Sequence, residues 1–171
     1  MQIHIRAEKP PDEDAIDELL DLAFAFDSHS QQNEAHIVRV LREQGQLTLS
    51  LVAQTEQNEL VGHICFSPVQ IDTGNTENLS GWLGLGPMAV NPRLQRQGIG
   101  RQLIQVGLAE IQRHATGCVV LGEPGFYQRF GFKNHPDLIL PGALAPFFMA
   151  QSFSGDVPSG QVIYQTAFQT T

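Results

Sequence analysis

Three features of this 171-residue sequence predict an α/β fold. The apolar pattern runs strand, helix, helix, strand, strand over the first 72 residues. A strand interrupted by Gly and Pro follows at 82–90. That strand enters a Gly-containing turn at 95–100, which opens directly into an amphipathic helix. The length suits one domain, 1–171, against a prior of about 150 residues per domain. No internal repeat or domain-sized linker divides it.

Each element has a local cause. Residues 2–6 alternate polar and apolar side chains, the period of a half-buried strand. Pro10 and Pro11 break that strand, and the acids at 12–14 suit the positive end of a helix. Ile16, Leu19, Leu20, Ala23 and Phe24 then recur at helical spacing. A polar loop at 27–33 precedes a second amphipathic helix carrying Ile37, Val38, Val40 and Leu41, which stops near Gly45. Strands are expected at 47–55 and 60–72, and a polar loop at 73–81. In the strand at 82–90, Gly84 and Gly86 weaken pairing and Pro87 removes a ladder donor. This predicts an edge or bulged strand with backbone groups open to another partner. The next helix, about 17 residues from Ile99, buries Ile99, Leu103, Ile104, Leu108 and Ile111. His114 falls in its last turn and Gly117 marks its stop. A short apolar strand begins at Cys118.

Composition narrows the function. Hydrophobic residues make up 42% and charged residues 16%, which is ordinary for a globular chain. Two cysteines are too few for a disulfide scaffold and suit a reducing cytoplasm. No apolar run approaches the roughly 18 residues of a membrane helix, and the acidic N-terminal stretch does not read as a signal peptide. The net charge of −8 disfavours binding to nucleic acid. That charge is uneven: residues 1–30 carry −6 and residues 78–136 carry +4. A local basic island of this kind can hold a small polyanion or simply face solvent.

The island surrounds Gln95-Arg96-Gln97-Gly98-Ile99-Gly100-Arg101. The first amides of a helix lack internal acceptors and carry the positive end of its dipole. Two glycines permit close approach and two arginines add charge, so this is a phosphate site in physical terms. A Walker loop would need Lys-Ser/Thr after Gly100, where Arg101 and Gln102 stand. The dinucleotide fingerprint fails at Leu103, and its match at Gly84, Gly86 and Ala89 is not followed by a helix. The pattern Q-x-x-G-x-G does fit. The six histidines lack metal-ligand spacing, so no metal is expected. Cys118 is expected in the core, and His63 reads as a satisfied strand histidine rather than a substrate contact.

Gln95 to Gly100 resembles the acetyl-CoA loop of the GNAT superfamily of N-acetyltransferases. Phe126-Tyr127-Gln128-Arg129-Phe130-Gly131-Phe132, about 30 residues further on, resembles the second signature of that family. The resemblance implies a mixed, mostly antiparallel sheet splayed in its middle, with helices on both sides. It implies an acetyl-CoA core at about 82–135 and C-terminal strands at 136–171. The segment 136–146 then reads as a lid over the acceptor site or as a homodimer contact. By the same resemblance, the amides of Arg96, Gln97, Gly98, Ile99, Gly100 and Arg101, with Gln95, hold the CoA pyrophosphate. The backbones of Met88, Ala89 and Val90 hold the pantetheine arm, and Tyr127 serves as general acid. The acceptor is then a small-molecule or peptide amine. Two other readings stay open: a non-catalytic acyl-CoA sensor, and a transferase for a larger acyl donor.

The sequence departs from the family pattern twice. Val120 stands where many members carry an Asn, and 82–90 contains no carboxylate to act as base. Glu123 is the nearest candidate base, and Asp27 and Glu34 are candidates to line the amine site. A lysine amine near pKa 10.4 is about 0.1% neutral at pH 7.5, whereas an α-amine near 7.8 is about one-third neutral. Weak basic assistance therefore favours an acceptor amine of low pKa, or proton removal through a water chain.

Overall fold

The computed structural model describes residues 1–169. Eight strands form one mixed sheet: β1 (Ile3–Ala7), β2 (Leu49–Thr55), β3 (Leu60–Asp72), β4 (Leu79–Val90), β5 (Gly117–Leu121), β6 (Leu138–Ile139), β7 (Phe148–Ser152) and β8 (Gly160–Ile163). The main path runs β1-β2-β3-β4-β5-β7, with β8 on the far end of β3 and β6 on β8. Pairing is antiparallel except at β4–β5 and β6–β8. The helices are α1 (Glu13–Phe24), α2 (Glu34–Glu43), α3 (Ile99–Ile111) and the single turn α4 (Pro124–Tyr127).

Helices cover both faces of the sheet. On one face, Ile99, Leu103, Ile104 and Ile111 of α3 pack on Leu51, Ile64, Phe66, Leu83 and Leu85. On the other, Ile16, Leu19 and Leu20 of α1 and Ala35 and Val38 of α2 pack on Val52, Cys65 and Ala89. Helix α3 lies unusually near the sheet. A Cβ on Gly107 would sit 2.7 Å from the Phe66 ring, so only glycine allows that approach. A glycine inside a helix costs about 1 kcal/mol relative to alanine, and here it admits a buried aromatic ring.

Three expectations need correction. The interrupted strand begins at Leu79 rather than 82, and it lies inside the sheet rather than at an edge. It pairs with β3 along its length through two register shifts, one of them at Gly86 and Pro87, so the strand is bulged there as expected. Its pairing with β5 stops after Trp82, Leu83 and Gly84. Pro87 is tolerated because the far side of β4 is already unpaired at that point. Helix α3 ends at Ile111, 13 residues long, because the Gln112 amide bonds both Leu108 and Glu110 and tightens the end into a turn. His114 therefore lies beyond the helix. Strand β2 starts at Leu49, two residues later than the apolar pattern suggested.

Candidate active site

The parting of β4 from β5 defines the site. From Leu85 to Val90, β4 has a partner on its β3 side only, which leaves one backbone edge open. At the end of that edge, Asn91 Oδ1 accepts the Arg93 amide at 3.0 Å, and Gln95 Nε2 donates to the Val90 carbonyl at 3.2 Å. These bonds fold the chain back toward α3. Arg96 and Gly98 both have positive φ, 65° and 87°, and Gly98 is the N-cap of α3. Gly98 offers no side chain to cap the helix, so the amides of Ile99, Gly100 and Arg101 have no capping acceptor.

A cleft of about 810 Å³ opens over these groups. Met88, Ala89, Val90, Gln95, Arg96, Gln97, Gly98, Ile99, Gly100 and Arg101 all line it. Ala23 and Phe24 at the end of α1, with Asp27, form one side, and Phe126 and Arg129 another. Arg96, Arg101 and Arg129 form no ion pair among the described residues. The cleft is therefore cationic at its α3 end within a chain of net charge −8.

Tyr127 and Glu123 stand beside the cleft and do not line it. Both Phe126 and Tyr127 donate their amides to the Glu123 carbonyl at 3.1 Å, forming the single turn of α4. The Glu123 side chain is exposed. The Tyr127 ring is partly buried, with edge contacts to Phe126 and Phe132 at 5.0 and 6.0 Å between centroids. Burial pushes its phenol up to about 12, which keeps the hydroxyl protonated as a hydrogen-bond donor. Asp27 Oδ1 accepts the His29 amide at 2.8 Å, and the Glu34 carboxylate accepts the Ser30 hydroxyl at 2.6 Å. Of these two acids, Asp27 lines the cleft and Glu34 does not. Val120 is buried in the core beneath α3, and Cys118 is buried as expected.

The motifs gave no sign of two further groups. Tyr164, just after β8, lays its ring over Gly84, the last residue of β4 that pairs with β5. Its hydroxyl is buried with no partner among the described residues, and burial pushes its pKa upward. The second group is a polar chain on the α1/α2 face. His63 is fully buried, with Nε2 2.8 Å from Ser50 Oγ, and Ser50 donates to Glu8 Oε1; its Nδ1 has no partner among the described residues, so it is not the satisfied strand histidine expected from the sequence. Arg42 of α2 grips the same carboxylate at 2.9 Å. Burial works to raise the Glu8 pKa, but bonds from His63, Arg42 and Ser50, with the Arg42 charge, outweigh it and hold the carboxyl at about 2.

The interrupted strand and the basic, uncapped helix N-terminus that it runs into place the chain among the acyltransferases. The acetyltransferase (GNAT) domain profile matches residues 46–134, and the chain belongs to the GNAT acetyltransferase family. It is 39% identical over 137 residues to the uncharacterised N-acetyltransferase YhbS of Escherichia coli strain K12, covering 78% of this chain and 77% of the relative. A crystal structure of a GNAT acetyltransferase from Brucella melitensis in complex with acetyl-CoA is 42% identical. It superposes with a TM-score of 0.83 over 98% of both chains. The structure of E. coli YhbS in complex with CoA is 34% identical, with a TM-score of 0.87 over 99% of this chain and 93% of that one. Among the described residues no group of acids, histidines or cysteines is placed to hold a metal ion. No described helix is long and apolar enough to cross a membrane.

Proposed function

We propose that the chain transfers an acetyl group from acetyl-CoA to a primary amine by direct attack within a ternary complex. The observation that carries this reading is the open edge of β4 running into the uncapped N-terminus of α3. An amide-rich arm can pair with a free strand edge as an added strand does. A pyrophosphate suits free helix amides flanked by Arg96 and Arg101. Acetyl-CoA supplies the acyl group as cosubstrate, and its ready supply in the cytoplasm makes that the compartment of the reaction. Met88, Ala89 and Val90 present backbone groups to the pantetheine, and the 95–101 loop holds the pyrophosphate. An amide near Met88 faces the thioester oxygen and stabilises charge developing there.

Tyr127 hydrogen-bonds the departing sulfur. A phenol of raised pKa is a poor proton source for a thiolate, so its contribution is stabilisation by donation rather than full transfer. Glu123 is a weaker candidate as base, because its exposed side chain is directed to solvent rather than into the cleft. Asp27 is the acid that reaches the cleft, and it suits a positively charged acceptor.

Calorimetric titration of acetyl-CoA into wild type and into a Gly98→Glu, Gly100→Glu double variant tests the binding half. Thiol release by wild type and Tyr127→Phe across a panel of amines tests the chemistry. Binding lost in a folded double variant, with amine-dependent thiol release in wild type, is the expected result. Binding without any turnover would favour an acyl-CoA sensor, and no binding would overturn the reading.

A further inference from the structure

Three cationic side chains line the cleft, and a pyrophosphate at the α3 N-terminus needs only Arg96 and Arg101. Those two belong to the loop that opens the helix. The Arg101 guanidinium folds back over the N-cap, with Nη2 3.7 Å from where a Cβ on Gly98 would stand. Arg129 comes from another wall. It lies in the short turn Gln128–Phe130 that follows α4, three residues beyond Phe126. That wall meets α3 at Gly100, where a Cβ would lie 3.9 Å from the Phe126 ring. Arg129 thus shares the cleft with the loop without being part of it.

The backbone around Arg129 is fixed, and its side chain is free. The Phe130 carbonyl accepts Gln151 Nε2 of β7 at 2.9 Å, and the Gly131 amide closes the turn on the Gln128 carbonyl at 3.2 Å. The Phe130 ring packs edge-on against Phe126, with 5.4 Å between centroids. Arg129 itself is exposed, and its guanidinium makes no hydrogen bond or ion pair among the described residues. Its planar fork of N–H donors is left open at the cleft. The chain has two lysines, Lys9 and Lys133, and neither lines the cleft. A guanidinium keeps its proton in proteins, so it is no nucleophile toward a thioester held nearby, and its fork matches phosphate oxygens in pairs. The cleft therefore carries the cation suited to phosphate and omits the one that an acyl donor would modify.

We propose that Arg129 holds the ribose 3′-phosphate of coenzyme A and makes the protein select that donor over its dephospho form. The proposal rests on the acetyl-CoA reading above. Coenzyme A carries a pyrophosphate and, one ribose ring away, a phosphomonoester. The pyrophosphate bears one negative charge on each phosphorus. The monoester, with a second pKa of about 6, bears close to two at neutral pH. Free amides at the start of α3, with Arg96 and Arg101, match the first group. The second group needs a cation within a short reach of that helix end but off it, and Arg129 is the cation left in the cleft. Arg129 binds and orients the donor and takes no part in acyl transfer, so its loss falls on donor affinity and KM rather than on kcat.

The test is calorimetric titration of CoA and of dephospho-CoA into wild type, Arg129→Gln and the charge-matched control Arg113→Gln. Arg113 lies past the far end of α3, is 72% exposed and pairs with Glu110 at 3.5 Å. Wild type is expected to bind CoA about tenfold more tightly than dephospho-CoA, the lower end of what a bond to a charged group contributes, because the site is exposed. In Arg129→Gln, CoA affinity falls to the dephospho-CoA level while dephospho-CoA affinity holds. Arg113→Gln keeps the preference, and both variants keep the wild-type Tm. The wild-type preference shrinks from about 50 to about 500 mM salt, as screening of exposed charges requires. Equal affinity of wild type for the two ligands overturns the proposal. So does a loss in Arg129→Gln by the same factor for both ligands, which puts the guanidinium on the pyrophosphate or in the fold. A wild type that binds neither ligand overturns the acetyl-CoA reading itself, and the selection with it.

Discussion

The ring of Tyr127 occupies the space that a Cβ on Gly122 would need. Gly122 follows β5 directly, and its amide bonds the Phe147 carbonyl at 2.9 Å, so its backbone is held in place. The absence of a side chain there sets how far the phenol can swing toward the sheet. Gly122→Ala is expected to displace the ring, at an overpacking cost of about 1–3 kcal/mol. Thiol release should fall while acetyl-CoA affinity holds, a split that steady-state kinetics and calorimetry can read together.

Tyr127→Phe keeps the edge contacts with Phe126 and Phe132 and removes only the hydroxyl. A loss of about tenfold to a hundredfold in kcat with little change in Tm is expected, comparable with one transition-state hydrogen bond. With the phenol pushed up to about 12, the ionisation of Tyr127 contributes no alkaline fall in rate below about pH 10. A rate that survives intact in Tyr127→Phe would remove the residue from the chemistry.

Glu8 makes stability depend on acid. Its carboxyl is held at about 2 in the fold against 4.5 when free. A depressed carboxylate contributes stability that is present above the unfolded value and is lost as pH falls through the folded one. The window is therefore from about pH 4.5 down to about 2, and the amount is a few kcal/mol at most. Chemical denaturation at stepped pH should show this loss in wild type and a shallower one in Glu8→Gln.

Tyr164 carries a buried hydroxyl with no partner among the described residues, and such a group costs about 1–3 kcal/mol when left unsatisfied. Tyr164→Phe keeps the edge contact with Phe168 at 5.1 Å and removes that cost. Its Tm should equal or exceed that of wild type. A marked fall would show that the hydroxyl is satisfied in solution.

The basic end of the cleft was legible because its causes are local. Gly98, Gly100 and the flanking arginines sit within seven residues, and a helix N-terminus follows from the apolar stripe beginning at Ile99. All ten residues expected at the cofactor line one cleft. The splay was legible only in part: Gly84, Gly86 and Pro87 announce weak pairing, but that β4 would lie inside the sheet depends on partners more than 25 residues away. The Glu8–Ser50–His63 chain was hidden for the same reason. Its members stand 42 and 13 residues apart, and only the β1–β2 and β2–β3 registers bring them together. Tyr164 joins the site through β8, a four-residue strand with no strong pattern of its own.

The three-residue seam between β4 and β5 also has a mechanical meaning. It is the only parallel joint along the main path, and it leaves the sheet as two halves, β1-β2-β3-β4 with β8 and β6 on one side and β5 with β7 on the other. A ligand bonded to both sides of the opening acts as a removable brace between them. A ligand that binds only the folded form would also raise its stability by mass action. The place where such a brace would act is the stretch of β4 beyond Gly84, where pairing with β5 has ended.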